Sequence, residues 1–530
     1  MAFPIAFRVG AQIRLSASLA IGLGAAVWLC PLWLTPTPAV PALLWGGLCL
    51  GAWLILDGYS ALAADANLSI QKLFWLLLII LAGMIAWRSR ELQNTLAAGL
   101  CLLGMGLAAK LSAKTDQNKI ANTLAWGWLI AGLVNSALGL AQYFGQTAEP
   151  LGTAFGLLRQ RNHLSTLCNI ALLSLLYLWT RYQAKRSPLS VGGQFLAVLA
   201  CAVLTAALAA TCSRAGLLEL VVSLIFIVAY ALYKRHRKLL LVAAFTTLFY
   251  AAWAYLLPQL SSSPETIFGR MLQTAATTSD SAAIDLQDGR SLLWSNTLAL
   301  IHAHPALGVG WRELAFSLRS TDLGSAIRFA EQADNAHNLP LQLAVELGLP
   351  FAALWLSLLV WLIARNKPWQ TRASAQLLAW GILMVIGIHS LFEYPLWYAP
   401  FQIALGLCAG LVFSQARPNA ATHLSGLDWQ KLTGIGLIFF CAYAAFDYHR
   451  IRQLFIADNE RSYLYQGTAY SSADTSWLFA AQVRFATFAT TPVTSDNAAQ
   501  LQLLGQEVLH FSPEPLVFNK LIEVNAHTLK

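Results

Sequence analysis

The polar interval 285–350 decides the fold: it begins DLQDGRSLLWSNTLALIHAHPALGVGW (285–311) and ends QADNAHNLPLQLAVELGLP (332–350). Long apolar runs precede and follow it, and no other polar interval between apolar runs is as long. In a membrane-spanning chain such an interval is a loop outside the bilayer, because polar and charged residues are costly inside it. We therefore expect this loop to organise the helices on either side of it.

The first half of the interval predicts a helix that begins near Arg290. Asp288 can accept hydrogen bonds from the free N–H groups of the first turn, as an N-cap residue does. Apolar residues recur among small and polar ones, which predicts a helix lying on the membrane surface. These apolar residues are Leu292, Leu293, Leu300 and Ile301. Pro305 and the Gly-Val-Gly turn after it end the helix.

The second half predicts another helix, which starts just after His337. Asn338 is a good N-cap residue, and Pro340 is tolerated in the first turn of a helix. A histidine at that place lies near the positive end of the helix dipole, which disfavours imidazolium and leaves a neutral base. The same helix start attracts an anionic group such as a phosphate. The stretch thus predicts a base beside an anion site.

The composition is that of a polytopic membrane protein. Of the 530 residues 57% are hydrophobic and 11% charged, whereas soluble globular chains carry about 25% charged residues. The apolar runs are roughly 18 to 23 residues long, enough for a helix to cross a bilayer. We predict an all-α polytopic helical membrane protein with about thirteen transmembrane helices. The predicted spans are 16–34, 39–56, 70–87, 93–110, 121–141, 164–180, 194–212, 215–233, 239–257, 341–364, 374–391, 396–414 and 431–447.

The charge and the cysteines exclude two other classes. The net charge is +9, but the basic residues fall mostly in short loops and form no stripe with interleaved aromatics, which argues against nucleic-acid binding. The eight cysteines all lie in or at the ends of apolar runs, and none forms a CxxC pair. They are interpreted as small core residues, with no disulfide framework.

Basic residues assign the two sides of the membrane. Arg8 and Arg14 place the N-terminus inside, and KRHRK (234–238) marks the strongest cytoplasmic loop. Arg88 and Arg90 are the exception, because their loop falls on the outer side.

This assignment brings the unusual polar residues to one face. Four separated segments are predicted on the outer side, which favours a shared site at the outer membrane boundary. They are GLLRQRNHLS (156–165), the start of the eighth span at Arg214, the 258–340 loop, and HSLFEYP (389–395).

Four domains follow from the same pattern. They are N-terminal transmembrane helices (1–257), a loop with amphipathic helices and the catalytic segment (258–340), C-terminal transmembrane helices (341–447), and a small helical domain on the outer side (448–530). The last of these contains apolar residues at helical spacing, which indicates helical hairpins.

Several candidate residues allow two interpretations, one functional and one structural. His337 either acts as the base or only shapes the turn into its helix. Arg214 and Arg290 either clamp a phosphate with paired guanidinium donors or anchor their helices at the headgroups. A dense polar cluster either contributes to the site or forms a solvated turn; it consists of Gln160, Arg161, Asn162 and His163.

Glu393 and Tyr394 follow an apolar run and precede Pro395. A carboxylate so close to the membrane is costly unless paired, so we expect Glu393 to pair with one of the arginines, and Tyr394 to donate to a substrate oxygen. Pairing for structure alone is the alternative. His302 and His304 do not converge on one ion from i,i+2 positions of a helix, so no metal and no cofactor are predicted.

The chain resembles the O-antigen ligase / O-oligosaccharyltransferase superfamily of bacterial inner-membrane proteins. SRAGLLEL from Ser213, the GRSLLW…HPALGVGW block from Gly289, and AHNLPLQLAVELGLP from Ala336 carry the resemblance. RQRNHLS (159–165) and EYPLWYAPF (393–401) are most similar to PglL-type protein O-oligosaccharyltransferases.

The resemblance implies a GT-C-like helical membrane fold and a periplasm-facing site in the inner membrane. It implies transfer of a glycan from undecaprenyl diphosphate to a serine or threonine of a periplasmic protein, typically a pilin. It also implies a metal-independent site with an essential histidine matching His337 and with arginines matching Arg214 and Arg290 on the diphosphate. Gln160 and Arg161 are assigned to the diphosphate as well; Asn162, His163, Asn338, Glu393 and Tyr394 are further substrate-site candidates.

Other functions stay open. Within the superfamily the alternatives are an O-antigen ligase whose acceptor is lipid A core and a polysaccharide polymerase. A transporter of lipid-linked sugars would place charged residues along a path through the spans, whereas here polar residues gather at one end.

Overall fold

The computed structural model describes residues 22–30, 40–57, 68–114, 116–145, 153–183, 190–233, 235, 237–261, 289–321, 333–413 and 429–528. Within these ranges the regular structure is helical, apart from one isolated bridge between Ser89 and Trp311. The predicted all-α class is therefore confirmed. All eight cysteines lie in described parts of the chain, and no disulfide joins them.

The helices fall into three groups along the chain. The N-terminal group comprises α1 (Val40–Asp57), α2 (Leu68–Arg88), α3 (Leu92–Lys114), α4 (Gln117–Tyr143), α5 (Arg161–Gln183), α6 (Val191–Ala210), α7 (Arg214–Tyr233) and α8 (Arg237–Leu260). The polar interval contains α9 (Gly289–Ala303), α10 (Leu314–Ser320) and α11 (Leu339–Leu347). After it come α12 (Leu349–Arg365), α13 (Ser374–His389), α14 (Ala399–Phe413) and α15 (Trp429–Arg452), then the tail helices α16 (Ala469–Ala473), α17 (Ala480–Thr490), α18 (Ala498–Phe511) and α19 (Pro515–Thr528).

Among the described residues, nine helices are long and apolar enough to cross a membrane, and α1, α13 and α14 are shorter apolar helices. Together they correspond to the last twelve predicted spans, so the count of thirteen is not confirmed. The first predicted span, 16–34, lies partly outside the described residues. Its described part is a π-helix, Gly22–Ala26, followed by turn and bend at 27–30, so the prediction of a helix through 27–30 is wrong.

The predicted span 341–364 is also wrong at its start, because it consists of two helices. α11 ends at Leu347 and α12 begins at Leu349, with Gly348 at φ 89° between them. A side chain on Gly348 would place its Cβ 2.2 Å from the carbonyl oxygen of Ala306. Glycine permits both the backbone conformation and this close approach. Only α12 has the length of a span; α11 belongs to the polar interval.

The prediction that α9 lies on the membrane surface is wrong for its apolar face. Leu293, Leu300 and Ile301 are 4%, 0% and 6% exposed and belong to the main core of the protein. The interval folds back on the bundle, since the Trp311 amide donates to the carbonyl oxygen of Arg88, at the end of α2, at 3.1 Å. The predicted cap at Asp288 lies outside the described residues.

Small residues let the helices that carry the site approach each other closely. A Cβ on Gly216 of α7 would lie 2.3 Å from the Cβ of Ser165 on α5, so only glycine fits there. Close approach through small residues is the usual way in which helices associate inside a bilayer. It fixes the starts of α5 and α7 side by side.

The tail is helical, as predicted, and it is docked on the rest of the protein. Its outer hairpins have their own apolar core, which includes Phe488 and Val517. Arg484 forms an ion pair with Glu91 at 2.7 Å, and His510 Nδ1 lies 2.7 Å from a carboxylate oxygen of Glu313. The tail therefore lies at the same end of the bundle as the turn between α2 and α3 and the start of α10.

Candidate active site

Glu393 is the point at which the separated polar segments meet. Its carboxylate, 2% exposed, accepts hydrogen bonds from Gln160 Nε2 (3.1 Å), Asn162 Nδ2 (2.6 Å) and His337 Nδ1 (2.8 Å). It also forms an ion pair with the Arg290 guanidinium. The structure thus joins the start of α5, the start of α9, the start of α11 and the segment after α13.

The partners of Glu393 keep it ionised. Burial alone would raise the pKa of this carboxyl, but the hydrogen bond from His337 and the charge of Arg290 outweigh burial and lower the pKa to about 2. A buried carboxylate that lacked such partners would be costly. Glu393 is therefore a fixed negative charge at the centre of the site.

The end of α13 places Glu393. The amides of Phe392 and Glu393 both donate to the carbonyl oxygen of His389, at 3.0 and 2.9 Å. Pro395 then starts a 3₁₀ turn, Pro395–Trp397, because proline cannot continue the hydrogen bonding of a helix. This tight turn directs the carboxylate back across the ends of the helices.

His337 is held in an uncommon backbone conformation. Its φ is 48°, in the left-handed region, and its amide donates to Asn335 Oδ1 at 3.1 Å. The preceding residue is fixed from two sides, since Trp294 Nε1 donates to the Ala336 carbonyl (2.9 Å) and the Ala336 amide donates to Gln342 Oε1 (2.6 Å). These contacts direct the ring toward Glu393.

The contact with Glu393 sets the tautomer of His337. An ionised carboxylate only accepts hydrogen bonds, so the imidazole Nδ1 carries the proton and donates. The lone pair of a neutral ring then lies on Nε2. The side chain is 25% exposed, so the ring borders the pocket next to it.

Asn338 caps α11, as predicted. Its Oδ1 accepts from the Leu341 amide and its Nδ2 donates to the Leu391 carbonyl, both at 3.0 Å. The Leu339 amide donates to the Ser390 carbonyl at 2.8 Å. The start of α11 is therefore tied to the same segment that carries Glu393.

A pocket opens beside His337 and Glu393, with an aromatic wall. Tyr394 packs edge-on against the His337 ring, with ring centroids 4.9 Å apart, and Trp397 stacks on Trp311 at 6.0 Å. Burial, together with Tyr398, raises the pKa of the Tyr394 phenol above its usual range. The hydroxyl is thus protonated at neutral pH and can donate a hydrogen bond.

Three of the candidate arginines stand at helix starts, and one of them, Arg290, contacts Glu393. Arg290 lies in the first turn of α9, with 38% of its side chain exposed. Arg161 and Arg214 are the first residues of α5 and α7. Ser213 Oγ donates to Asn162 Oδ1 at 2.7 Å, which joins these two helix starts directly. Helix N-termini and guanidinium groups both favour anions, so this end of the bundle suits a phosphate group.

His163 is a candidate whose side chain lies in the core and not beside Glu393. It is 1% exposed, and its ring packs among those of Tyr398 (4.5 Å) and Phe401 (5.1 Å). Successive residues of a helix point about 100° apart, so Asn162 faces Glu393 while His163 faces the core.

Sequence reasoning missed a second polar cluster just below the site. Glu219, His389 and Thr166 are all 0% exposed and lie in contact with one another. Glu219 lies in SRAGLLEL (213–220) and His389 in HSLFEYP (389–395), and neither motif by itself assigns a role to these two residues. The available signal was a carboxylate and a histidine inside apolar runs, which are rare there without a partner.

No group of three His, Cys, Asp or Glu residues that could hold a metal ion occurs in the described ranges. His302 and His304 are both exposed at the end of α9.

Three family models match parts of this chain. The model described as O-Antigen ligase matches residues 199–356, and the one described as Protein glycosylation ligase matches 154–179. A third, described as Virulence factor membrane-bound polymerase, C-terminal, matches 377–528. The matched ranges include every residue that contacts Glu393 through its side chain.

Two curated relatives from Acinetobacter baylyi are similar to this chain. A general O-oligosaccharyltransferase is 23% identical over 453 residues, which cover 81% of this chain and 76% of the relative. A ComP-specific O-oligosaccharyltransferase is 22% identical over 321 residues, which cover 59% of this chain and 55% of the relative. The resemblance predicted from the sequence is thereby confirmed: parts of the chain match the O-antigen ligase and protein glycosylation ligase models, and the chain is a glycosyltransferase similar to the O-oligosaccharyltransferases.

Proposed function

We propose that this enzyme transfers a glycan from undecaprenyl diphosphate to a serine or threonine hydroxyl of a periplasmic protein, such as a pilin. The observation that carries the proposal is the pairing of His337 Nδ1 with the buried Glu393 carboxylate at 2.8 Å, beside a pocket that both residues line. Arg290 forms an ion pair with the same carboxylate. Both curated relatives are named as O-oligosaccharyltransferases, one of them specific for ComP.

His337 acts as the general base. The acceptor oxygen attacks the anomeric carbon while its proton passes to Nε2, and the bond from that carbon to the diphosphate oxygen breaks with its electron pair. Glu393 holds the ring in the required tautomer and stabilises the imidazolium that forms. Direct attack, without a covalent enzyme intermediate, inverts the anomeric configuration.

The arginines stabilise the leaving diphosphate. Arg290 forms an ion pair with Glu393, and the 38% of its side chain that is exposed is available to bind the diphosphate. Arg161 and Arg214 add charge at two further helix starts. Preorganised cations of this kind stabilise a developing negative charge without reorganisation, and they let the reaction proceed without a metal ion.

The other candidates bind or position. Gln160 and Asn162 hold Glu393, and Asn338 holds the start of α11. Tyr394 donates its hydroxyl to a substrate oxygen, while the aromatic wall at Trp397 packs against a sugar ring. The isoprenoid chain of the donor remains in the bilayer, which explains an active site at the end of a membrane bundle. The enzyme lies in the bacterial inner membrane, with this end facing the periplasm.

Reconstitution tests the proposal. The purified protein is incubated with a defined undecaprenyl-diphosphate oligosaccharide and with a pilin, and the pilin is examined by intact-mass spectrometry. We expect the mass of one glycan on a serine or threonine, with the inverted configuration in the NMR spectrum of the product.

Parallel reactions separate the alternatives. Lipid A core and the donor alone replace the pilin as acceptors. Transfer only to lipid A core would make the protein an O-antigen ligase, and extension of the lipid-linked glycan would make it a polymerase. Movement of the donor between leaflets of a vesicle without any transfer would contradict the proposal altogether.

A further inference from the structure

A second layer of polar side chains lies one helical turn below Glu393, inside the bundle. It is formed by Thr166 of α5, Glu219 of α7 and His389 of α13, all of them 0% exposed. Burying a carboxylate and an imidazole among transmembrane helices is costly unless the groups are paired. An apolar side chain at these three positions would avoid that cost, so the cluster calls for a specific reason.

The three side chains form a closed triangle of hydrogen bonds. His389 Nδ1 lies 2.6 Å from Thr166 Oγ1 and 3.0 Å from Glu219 Oε1, and Thr166 Oγ1 lies 2.9 Å from the same oxygen of Glu219. An ionised carboxylate only accepts, so the Thr166 hydroxyl and the imidazole N–H both point their protons at Glu219 or at each other's acceptor. The Thr166 hydroxyl also lies 3.0 Å from the Asn162 carbonyl oxygen, one turn earlier on α5. Asn169 Nδ2 adds a further donor to Glu219, at 3.2 Å.

The cluster is in register with the active site. Asn162 and Thr166 are four residues apart on α5, so they lie on one face of that helix. Glu393 lies one turn beyond His389, because the Glu393 amide donates to the His389 carbonyl at 2.9 Å. The α5 helix and the end of α13 are thus joined by two parallel contacts of 2.6 Å: Asn162 to Glu393 at the pocket, and Thr166 to His389 below it.

We propose that Thr166, Glu219 and His389 are positioning residues, which set the distance between Glu393 and His337. The inference rests on the roles proposed above for those two residues. The contact between Thr166 and His389 fixes the position of the end of α13 against α5. The Glu393 amide donates to the His389 carbonyl, so the position of His389 sets that of Glu393. Glu219 contacts both Thr166 and His389, and it thereby ties α7, with Arg214 at its start, to α5 and α13.

The cluster acts on turnover rather than on substrate binding, because none of its three side chains reaches the surface. A shift of about 1 Å in a catalytic group can lower the rate roughly a hundredfold. Loosening the lower contact therefore lowers kcat, while KM for the lipid-linked donor and for the acceptor stays near the wild-type value.

The sharpest test uses Thr166→Val, which keeps the volume and removes the hydroxyl, against Thr166→Ser, which keeps the hydroxyl. We expect kcat to fall between roughly tenfold and a hundredfold for valine and to return to within about threefold of wild type for serine. The matched control is Thr205→Val on α6, where the buried hydroxyl donates to the Cys201 carbonyl of its own helix at 2.8 Å. It should leave kcat unchanged.

A double-mutant cycle with Glu393→Gln separates positioning from general loosening of the bundle. If Thr166 acts through Glu393, Thr166→Val costs less than about twofold once Glu393→Gln is present. A full, independent loss in that background, or wild-type kcat for Thr166→Val alone, would overturn the inference. Should Thr166→Val fail to accumulate in the membrane, Glu219→Gln replaces it in both measurements, with the same expected losses.

Failure of the inference is distinguishable from failure of the proposed function. An inactive His337 variant together with fully active Thr166→Val and Glu219→Gln removes only the positioning cluster. A fully active His337 variant removes the base on which both proposals rest.

Discussion

At the scale of single residues, Glu393 both contacts the proposed base, His337, and holds the surrounding helix ends together. Its carboxylate accepts from three different helix starts and is held at a pKa of about 2, so it stays charged at every pH at which the protein would be assayed. The carboxylate also accepts from Nδ1 of His337, which leaves Nε2 as the free ring nitrogen. The tautomer of His337 and the placement of α5 against the end of α13 are therefore set by the same side chain.

Replacement of His337 tests the base. We expect His337→Asn to lower kcat about 10²–10⁴-fold, the range expected of a lost general base. Asparagine is the better probe than alanine because it tolerates the left-handed backbone that His337 adopts at φ 48°. Transfer is measured by mass spectrometry of the acceptor, at matched protein abundance. His302→Asn, on the exposed end of α9, is the control and should be fully active. A His337→Asn enzyme that keeps more than about a tenth of wild-type turnover would contradict the role of His337 as general base.

Lysine and alanine variants of two arginines test the leaving-group site. At Arg214 and Arg290, lysine keeps the charge and loses the paired donors, so we expect partial activity, with alanine far worse. Arg290→Ala should be the more damaging alanine variant, because it also removes the ion-pair partner of Glu393. Initial rates against donor concentration give the comparison.

The control for the arginine series is Arg181→Ala. Arg181 lies at the other end of the bundle, where it donates to Asn118 Oδ1 at 3.0 Å. Wild-type rates for the alanine variants of both Arg214 and Arg290 would reduce these residues to membrane anchors.

Individual side chains show which contacts in the site could be predicted from the sequence and which could not. It predicted that Glu393 pairs with an arginine, and the structure confirms the pairing with Arg290. It could not separate Asn162 from His163, because a run of polar residues at a helix start does not reveal which of them faces the partner helix. Burial of His163 depends on Tyr398 and Phe401, which are more than 230 residues away in the chain.

At the scale of elements, the break between α11 and α12 matters most. Gly348 lets α11 end outside the span and lie against the turn after α9, where the Gly310 amide donates to the Glu346 carbonyl at 3.1 Å. Hydropathy alone runs on through this glycine, so the sequence predicted one continuous helix. The break is imposed by a tertiary contact with the 305–310 turn, which no local pattern reveals.

The buried carboxyl of Glu346 on α11 makes stability depend on pH. Burial raises its pKa to about 7, although the charge of Arg312 acts in the opposite direction. The folded protein thus binds this proton more tightly than the unfolded chain does. The proton on Glu346 therefore adds to the free energy of unfolding, by an amount on the order of 3 kcal/mol. This stabilisation is fully present below about pH 4.5 and is lost as the pH rises through about 7.

We therefore expect the unfolding temperature in detergent to fall between pH 5 and pH 8, and Glu346→Gln to flatten that fall. Differential scanning fluorimetry across this range measures it. Glu523→Gln, on the exposed face of α19, should keep the wild-type slope. A Glu346→Gln protein with the same slope as wild type would show that this carboxyl does not titrate in that range.

At the scale of the whole molecule, charged contacts assign elements to one end of the bundle. Arg484 of the tail pairs with Glu91, and Arg88 donates to the Gly308 carbonyl at 3.1 Å. Arg90 lies 3.6 Å from Glu313. The two arginines that broke the predicted charge rule are therefore paired with the polar interval rather than facing anionic lipid. Pairing of this kind cannot be read from local sequence, because it depends on which distant segments share an end of the bundle.

The prediction that follows concerns orientation. The structure puts residues 89–91, the 308–320 segment and the tail at the end that carries Glu393, and it puts the ends of α5 and α12 at the opposite end. Basic residues concentrate at that opposite end, which predicts that it faces the cytoplasm. Reporters that are active only outside the cytoplasm, inserted after Ser320, Asn366 and Ser462, should be active at the first and third positions and silent at the second.

Each other outcome of the reporter series has a distinct meaning. Activity at 320 with silence at 462 would contradict the Arg484–Glu91 contact and remove the tail from acceptor recognition. A complete reversal would leave the site intact but place it in the cytoplasm, where a periplasmic acceptor cannot reach it. Silence at 320 together with activity at 462 would separate the polar interval from the tail and contradict the contact between His510 and Glu313. Only the predicted pattern lets a donor in the bilayer and an acceptor in the periplasm meet at His337.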